Sequence, residues 1–206
     1  MNPLLDDWLG NQSAAVLTSK RRCLKFLKQA YGVCVGDFAN KPRTDVTMTA
    51  GGFRFHVGTP LPDLRHIASW MITHAPRQRT LAKAVPALWK RHGREDVSVA
   101  GLLLANLDPA ELGQDPWMAF IHLLQRKEPL LVVLEVAEEL VRAGHRVPDD
   151  AWLEAAAGQS SHWHQYCVLF LSLRRSEVRC QDLIRQAPKG GEMFERIRSR
   201  LLESEN

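Results

Sequence analysis

Apolar residues recur at helical spacing along most of the chain, and the clearest stripe lies at residues 128–143. Its apolar positions are Leu130, Val133, Leu134, Ala137, Leu140 and Val141. Residues three and four apart share one face of an α-helix, so this stripe predicts a helix with one buried side. The same period predicts further helices between Pro60 and Pro76 and at about 13–31, 77–91, 95–106, 115–126, 149–157, 160–173, 177–187 and 191–203.

Residues 36–59 interrupt the helical period. Around Ala50-Gly51-Gly52, apolar and polar residues alternate instead, and the apolar ones are Val46, Met48, Phe53, Phe55 and Val57. A period of two is typical of a β-strand. We therefore expect a short β-hairpin near 44–58, or an extended loop packed on the helices, and no strand elsewhere.

These elements predict an all-α fold. Helices of ordinary length joined by short turns favour a HEAT-like α-solenoid, a superhelix of stacked antiparallel helix pairs, while an irregular helical bundle fits the same pattern. The length of 206 residues suits a single domain over 1–206. Within it, residues 1–58 would form N-terminal helices plus the loop or hairpin, and residues 59–206 the helical repeats.

The net charge of +4 hides a strong segregation along the chain. Residues 20–28 contain five basic residues and residues 77–94 contain six, with no acid in either segment. Residues 95–158, by contrast, contain twelve acids and four bases. Because a solvated surface usually mixes the two signs, this segregation indicates an anionic partner.

Cysteine usage and short motifs indicate neither a metal nor a cofactor. The four cysteines have no CxxC spacing, so we expect reduced thiols in a cytoplasmic protein and no zinc site. The chain contains no phosphate-binding loop, nucleophile elbow, HExxH or dinucleotide fingerprint. No apolar run approaches the ~20 residues that a membrane-spanning helix needs.

The predicted helix at 77–91 offers the best candidate for an interface. At 100° per residue, Arg79, Lys83 and Lys90 fall in one narrow arc, nearly opposite the apolar stripe. Such a row can follow phosphates, although a solvated outer face would have the same pattern. The candidate nucleic-acid-binding bases of this segment are Arg77, Arg79, Lys83, Lys90, Arg91 and Arg94.

Residues 58–104 resemble a known family. The segment from Gly58 to Ala68, GTPLPDLRHIA, is similar to the "G-V-x-x-P-x-L-R-x-I-A" entry of the bacterial HEAT-like DNA alkylation repair proteins, which are 3-methyladenine and 7-methylguanine DNA glycosylases. The pairs Leu81-Ala82, Leu88-Trp89 and Arg94-Glu95 and the run from Ala100 to Leu104 then follow in the order of that family's next stretch. Val97 stands where the family has an arginine.

The resemblance implies a C-shaped solenoid whose basic concave face grips duplex DNA. In active members of that family, a carboxylate on this face assists cleavage of the bond to a cationic alkylated purine, and nearby aromatic rings contact the DNA backbone. Trp117 and Trp163 resemble the tryptophans that open the corresponding helices of the family. The resemblance therefore adds Trp117 and Trp163 to the candidate nucleic-acid-binding residues.

The chain departs from the family at the catalytic positions. Ile121 lies one turn after Trp117, where the resemblance implies the catalytic aspartate. Asp115 is the nearest carboxylate, yet two residues before Trp117 it would face another side of the helix. Gln165 and Tyr166 occupy the positions of a basic residue of the family, and residues 191–203 contain no tryptophan.

We therefore expect a DNA-binding HEAT-like repeat protein that binds duplex or damaged DNA through a basic face, without ordinary base excision. Two alternatives remain. One is an active alkylpurine glycosylase that uses Asp115. The other is an α-solenoid that binds a protein partner through complementary charge.

Overall fold

The computed structural model describes residues 2–36, 52–124, 128–174 and 180–203, and over these ranges the fold is all-α, as predicted. The helices of the first half are α1 (Pro3–Gly10), a 3₁₀ turn (Ala14–Leu17), α2 (Lys20–Val35), α3 (Leu61–His74), α4 (Gln78–Arg91), α5 (Arg94–Asn106), α6 (Pro109–Leu112) and α7 (Pro116–Leu123). Those of the second half are α8 (Leu130–Arg142), α9 (Asp150–Ala157), α10 (Ser161–Leu171), α11 (Gln181–Gln186) and α12 (Glu192–Glu203). Within the described ranges, none of these helices is long and apolar enough to cross a membrane.

The N-terminal region differs from the single helix predicted at 13–31. Ser13 caps only the 3₁₀ turn, and a second cap, in which the Ser19 hydroxyl accepts from the amide of Arg22, starts α2. Gly32 lies inside α2, which ends at Gly36, where a φ of 58° suits a residue without a side chain. The predicted range of 13–31 therefore covers the 3₁₀ turn and most of α2, but it misses the second serine cap and the last four residues of that helix.

The described part of the predicted β-hairpin is an extended loop. Residues 44–51 lie outside the described residues, and residues 52–58 form one isolated parallel bridge, between Phe55 and Gly93. The amide of Arg54 donates to the carbonyl of His92 at 2.9 Å, and the amide of Arg94 donates to the carbonyl of Phe55 at 3.0 Å. The partner of this extended segment is thus the turn between α4 and α5, so the alternation of Phe53 with polar residues reflects packing on helices.

Contacts divide the chain into two compact units, Met1–Leu123 and Leu124–Asn206. We describe each unit by itself, and the single domain expected from the length stays a prediction. In the second unit, α10 is the central helix: its residues from Tyr166 to Leu171 are buried, and it packs against α8, α9, α11 and α12. The hydroxyl of Tyr166 accepts from the amide of Glu128 at 3.1 Å, which ties α10 to the start of α8.

The first unit contains two antiparallel helix pairs. Phe26 of α2 stacks on Trp70 of α3 with ring centroids 5.0 Å apart, and the start of α3 lies at the other end of α2, where Asp63 contacts Cys34. Helix α4 turns back into α5 through His92 and Gly93. Helix α2 packs against α4, and α3 packs against α5. This arrangement is compatible with the HEAT-like solenoid, which stays a prediction.

Helix α5 is buried on all sides. Every residue from Glu95 to Ala105 is buried, which includes two carboxylates in the first turn. The Oε1 atom of Glu95 accepts hydrogen bonds from the amides of Val57, Gly58 and Thr59 at 2.9, 2.7 and 3.3 Å. These bonds satisfy three amides that lead into α3, and they hold the start of α3 beside the start of α5.

The contact between Phe55 and Gly93 generates the first prediction. A Cβ atom at Gly93 would overlap the ring of Phe55. We expect Gly93→Ala to lower the free energy of unfolding by about 1–3 kcal/mol, since the ring must leave the α4–α5 turn. Urea unfolding followed by circular dichroism measures this change.

Gly32→Ala is the matched control. A Cβ there meets nothing within 4 Å, so the substitution should stabilise α2 by roughly 0.5–1 kcal/mol. If both variants unfold at the same urea concentration, the Phe55 ring is not the cause of the constraint at Gly93.

Candidate nucleic-acid interface

The predicted basic row lies on the exposed face of α4. Arg79, Lys83 and Lys90 are all exposed, whereas the apolar positions Leu81, Ala84, Val85, Leu88 and Trp89 of the same helix are buried. Arg77, at the N-terminal cap position, is exposed as well. Helix α4 contains no acidic residue. The exposed face therefore carries charge of one sign along its length.

The three charges of the row point into solvent. Among the described residues, no acid lies within ion-pair distance of Arg79, Lys83 or Lys90. At the N-terminal end of α4, Gln78 accepts a hydrogen bond from the amide of Asp108 at 3.1 Å and thereby ties α4 to the start of α6, which the Asp108 carboxylate caps. Within the described residues, the row is therefore exposed charge without an acidic partner.

Arg91 and Arg94, two other candidates, have structural partners. Arg91 is ion-paired through Nε to Asp96 at 2.8 Å, and its Nη1 donates to the carbonyl of Leu24 in α2 at 3.4 Å. Its guanidinium also lies 5.8 Å from the centre of the Phe55 ring. The Arg94 guanidinium bonds Ser98. These contacts hold α2, α4 and α5 together, so we do not include Arg91 and Arg94 in the exposed row.

Asp96 is the buried carboxylate that Arg91 neutralises. It is fully buried, and the hydroxyl of Tyr31 in α2 donates to its Oδ1 atom at 3.2 Å. Burial raises the pKa of Asp96 from 3.8 to about 6, and the charge of Arg91 opposes that rise. Burial, with the nearby Asp96 charge, also raises the pKa of Tyr31 well above its usual value. This cluster could not be predicted from the sequence. An acid in the first turn of a helix is ordinarily expected to be exposed and to interact favourably with the helix dipole.

The two candidate tryptophans lie in different packing environments. Trp117 is 1% exposed and packs against Phe120, with ring centroids 6.1 Å apart. Trp163 belongs to the second unit and is partly exposed, edge-on to Trp152 at 6.0 Å and to Tyr166 at 5.7 Å. Trp117 therefore has a packing role, and a DNA contact at either tryptophan stays a prediction.

Asp115, the weak catalytic candidate, caps a helix. Its Oδ1 atom accepts from the amides of Trp117 and Met118 at 2.9 and 3.2 Å, at the start of α7. Its side chain is exposed, while Ile121 on the same helix is partly buried. The capping bonds account for an aspartate at this position without any catalytic role.

The cysteine thiols are poor nucleophiles. All four are free. Burial raises the pKa of Cys23 to about 11 and the pKa of Cys34 and Cys167 to about 12. A thiol with such a pKa stays protonated at neutral pH, which makes these three side chains weak nucleophiles.

Comparison of the chain with family models, with curated proteins and with solved structures finds no match. The resemblance to the DNA alkylation repair family therefore stays a prediction. Any functional proposal depends on the residues described above.

The raised pKa of Asp96 generates the second prediction. Because the folded protein holds the proton more tightly than the unfolded chain does, Asp96 contributes stability below about pH 4 that is lost as the pH rises through about 6. Two pKa units correspond to roughly 3 kcal/mol. Asp96→Asn cannot titrate, so the stability of the parent relative to this variant should fall by up to that amount between pH 4 and pH 7.

Urea unfolding at several pH values measures the difference. Asp7→Asn, which removes an exposed carboxylate, serves as the control and should follow the parent at every pH. A constant difference between the parent and Asp96→Asn from pH 4 to pH 7 would contradict the assignment of this titration to Asp96.

Proposed function

We propose that this chain is a DNA-binding, HEAT-like repeat protein that binds duplex or damaged DNA through the basic face of α4, without ordinary base excision. One observation carries the proposal: Arg79, Lys83 and Lys90 form an exposed row opposite the buried stripe of the same helix, and the helix contains no acid. The segregation of bases and acids along the chain supports it, and so does the resemblance at residues 58–104. A cytoplasmic location, which suits free cysteines, belongs to the same proposal.

The chemistry of the row suits phosphates rather than bases. A helix rises 1.5 Å per residue, so Arg79 and Lys83 are about 6 Å apart along the axis and Lys90 is about 10 Å further on. Long side chains at these intervals reach successive phosphates and displace their counterions. Phosphate contacts set the position of a protein on a duplex without reading its sequence. The row therefore predicts salt-dependent binding with little sequence preference.

The absence of base excision is the second part of the proposal. In the family's mechanism, a carboxylate at the reaction centre stabilises the positive charge that develops on the sugar. At the family's position this chain has Ile121, which carries no charge, and the nearest acid, Asp115, uses one carboxylate oxygen for two amides of α7.

The second candidate function, an alkylpurine glycosylase with a displaced catalytic acid, has one observation in its favour. The Asp115 side chain is exposed at the start of α7, and its Oδ2 atom makes neither of the two capping bonds. That oxygen could face a bound nucleotide.

The basic row generates the third prediction. In the variant Arg79→Ala/Lys83→Ala/Lys90→Ala, the slope of log K against log salt for duplex DNA should lose about 2–3 units of magnitude, since each base neutralises roughly one phosphate. Stability should change little because the three side chains are solvated. Fluorescence anisotropy at four or more salt concentrations gives the slope.

A variant of equal charge change tests whether position matters. Arg146→Ala/Lys189→Ala/Arg196→Ala removes three exposed bases from the second unit and should keep the parent's slope. If the α4 variant and the parent share both affinity and slope, the α4 face is a solvated exterior. The hypothesis to test next would then be an α-solenoid that binds a protein partner, with its acidic segment at 95–158.

Ile121 and Asp115 generate the fourth prediction. Incubation with methylated duplex DNA should release no 3-methyladenine or 7-methylguanine above the spontaneous rate, as measured by chromatography of the free bases. Release that Asp115→Asn abolishes would establish the glycosylase instead. Asparagine caps helices about as well as aspartate, so this variant separates the charge of Asp115 from its structural role.

A further inference from the structure

A second basic row lies on α2. Arg21, Lys25 and Lys28 are spaced four and three residues apart, so they share one face of the helix, and all three are exposed. The opposite face of α2 is buried through Cys23, Phe26, Leu27, Ala30 and Tyr31. Like α4, helix α2 contains no acid. Arg22 lies outside this row, because its guanidinium bonds the carbonyl of Ala15 and the hydroxyl of Thr18.

Helices α2 and α4 run in the same direction. Helix α3 runs opposite to α2, since Trp70 meets Phe26 while Asp63 meets Cys34. Helices α3 and α5 start side by side, because Glu95 binds the amides that precede α3. Helix α4 runs opposite to α5 across a short turn. The direction reverses between α2 and α3 and again between α5 and α4, so α2 and α4 run parallel. They also contact each other, and the axes of packed helices lie roughly 8–10 Å apart.

The contacts between the helices also align the two rows. Side chains on a helix tilt towards its N-terminus. Along the axis of α2, the hydroxyl of Tyr31 therefore lies beside the backbone of the residue about two positions earlier in the chain. That hydroxyl meets Asp96 at the start of α5, beside the last turn of α4. Arg91 reaches back in the same way to the carbonyl of Leu24. These two contacts place Lys28 within about one helical turn of Lys90, and Arg21 within about one turn of Lys83.

The two rows also face the same side. On each helix the exposed bases lie opposite the buried stripe, and the two stripes pack into one core. Leu24 on the flank of α2 meets Arg91 on the flank of α4, so the helices touch edge to edge. The exposed faces therefore form one continuous surface, which we call the two-row surface and define by Arg21, Lys25, Lys28, Arg79, Lys83 and Lys90.

We propose that the two-row surface binds both sugar-phosphate strands of a duplex, one strand along each row, across the minor groove. This inference rests on the proposed DNA binding and deepens it. The minor groove of B-DNA is about 6 Å wide and the major groove about 12 Å. Rows about 8–10 Å apart are too close together to reach both borders of the major groove, whereas their flexible side chains can spread to the phosphates on the two sides of the narrower minor groove. A single strand, by contrast, has one backbone and can follow only one row at a time.

Salt titrations with three variants test the proposal. For duplex DNA, Arg21→Ala/Lys25→Ala/Lys28→Ala should lower the slope magnitude by about 2–3 units, and the six-fold variant that adds the α4 changes should lower it by about 5–6. For a single strand of the same length, the α2 variant should keep the parent's slope within about one unit, because the α4 row remains. Arg146→Ala/Lys189→Ala/Arg196→Ala is the control of equal charge change, and the circular dichroism spectrum of each variant should match the parent's.

The outcomes separate the two proposals. If the α4 variant loses slope with duplex DNA and the α2 variant does not, the two-row surface is overturned while DNA binding through α4 stands. If the α2 variant loses equal slope with duplex and with single strands, the assignment of one strand to each row is wrong. If neither row changes duplex binding, the proposed function fails together with this inference.

Discussion

One carboxylate oxygen, Oε1 of Glu95, accepts hydrogen bonds from three consecutive amides at residues 57–59, and the Glu95 side chain itself is fully buried. A buried amide left unpaired costs about 1–3 kcal/mol, so the loss of this carboxylate would cost most at Thr59, which is the one buried residue of the three. Bonds to an ionised acceptor are also stronger than neutral ones. This joint fixes where the extended loop ends and where α3 begins, and it lets the first turn of α5 be buried.

The exposed charges depend on that buried helix. Because α5 is enclosed by α3, α4 and the 52–60 loop, α4 has one side for the core and one side for solvent. Helix α2 repeats the same division with a stripe of similar spacing. Because α2 and α4 contact each other and bury their apolar faces on the same side, their opposite faces lie next to each other, and bases distant in sequence come close together.

Amphipathic helices could be predicted from the sequence, and features that depend on contacts across the fold could not. The period of three and four residues located α4 and its exposed row, because that signal lies within one helix. The alternation at Phe53 and Phe55 had the right period for a strand, but its partner is the turn at Gly93 rather than a second strand. Nothing local marks Glu95 and Asp96 as buried or Trp117 as enclosed, since each depends on which elements cover it.

The cluster of Tyr31, Arg91 and Asp96 fixes the position of α2 along the axis of α4. Apolar ridges alone allow neighbouring helices several offsets of similar energy, whereas a buried charge has a partner at only one of them. The spacing of charges outside is thereby set by hydrogen bonds inside. A substitution at Asp96, which touches no solvent, can shift Lys28 relative to Lys90, and so would alter the DNA binding proposed for this surface without removing a single surface charge.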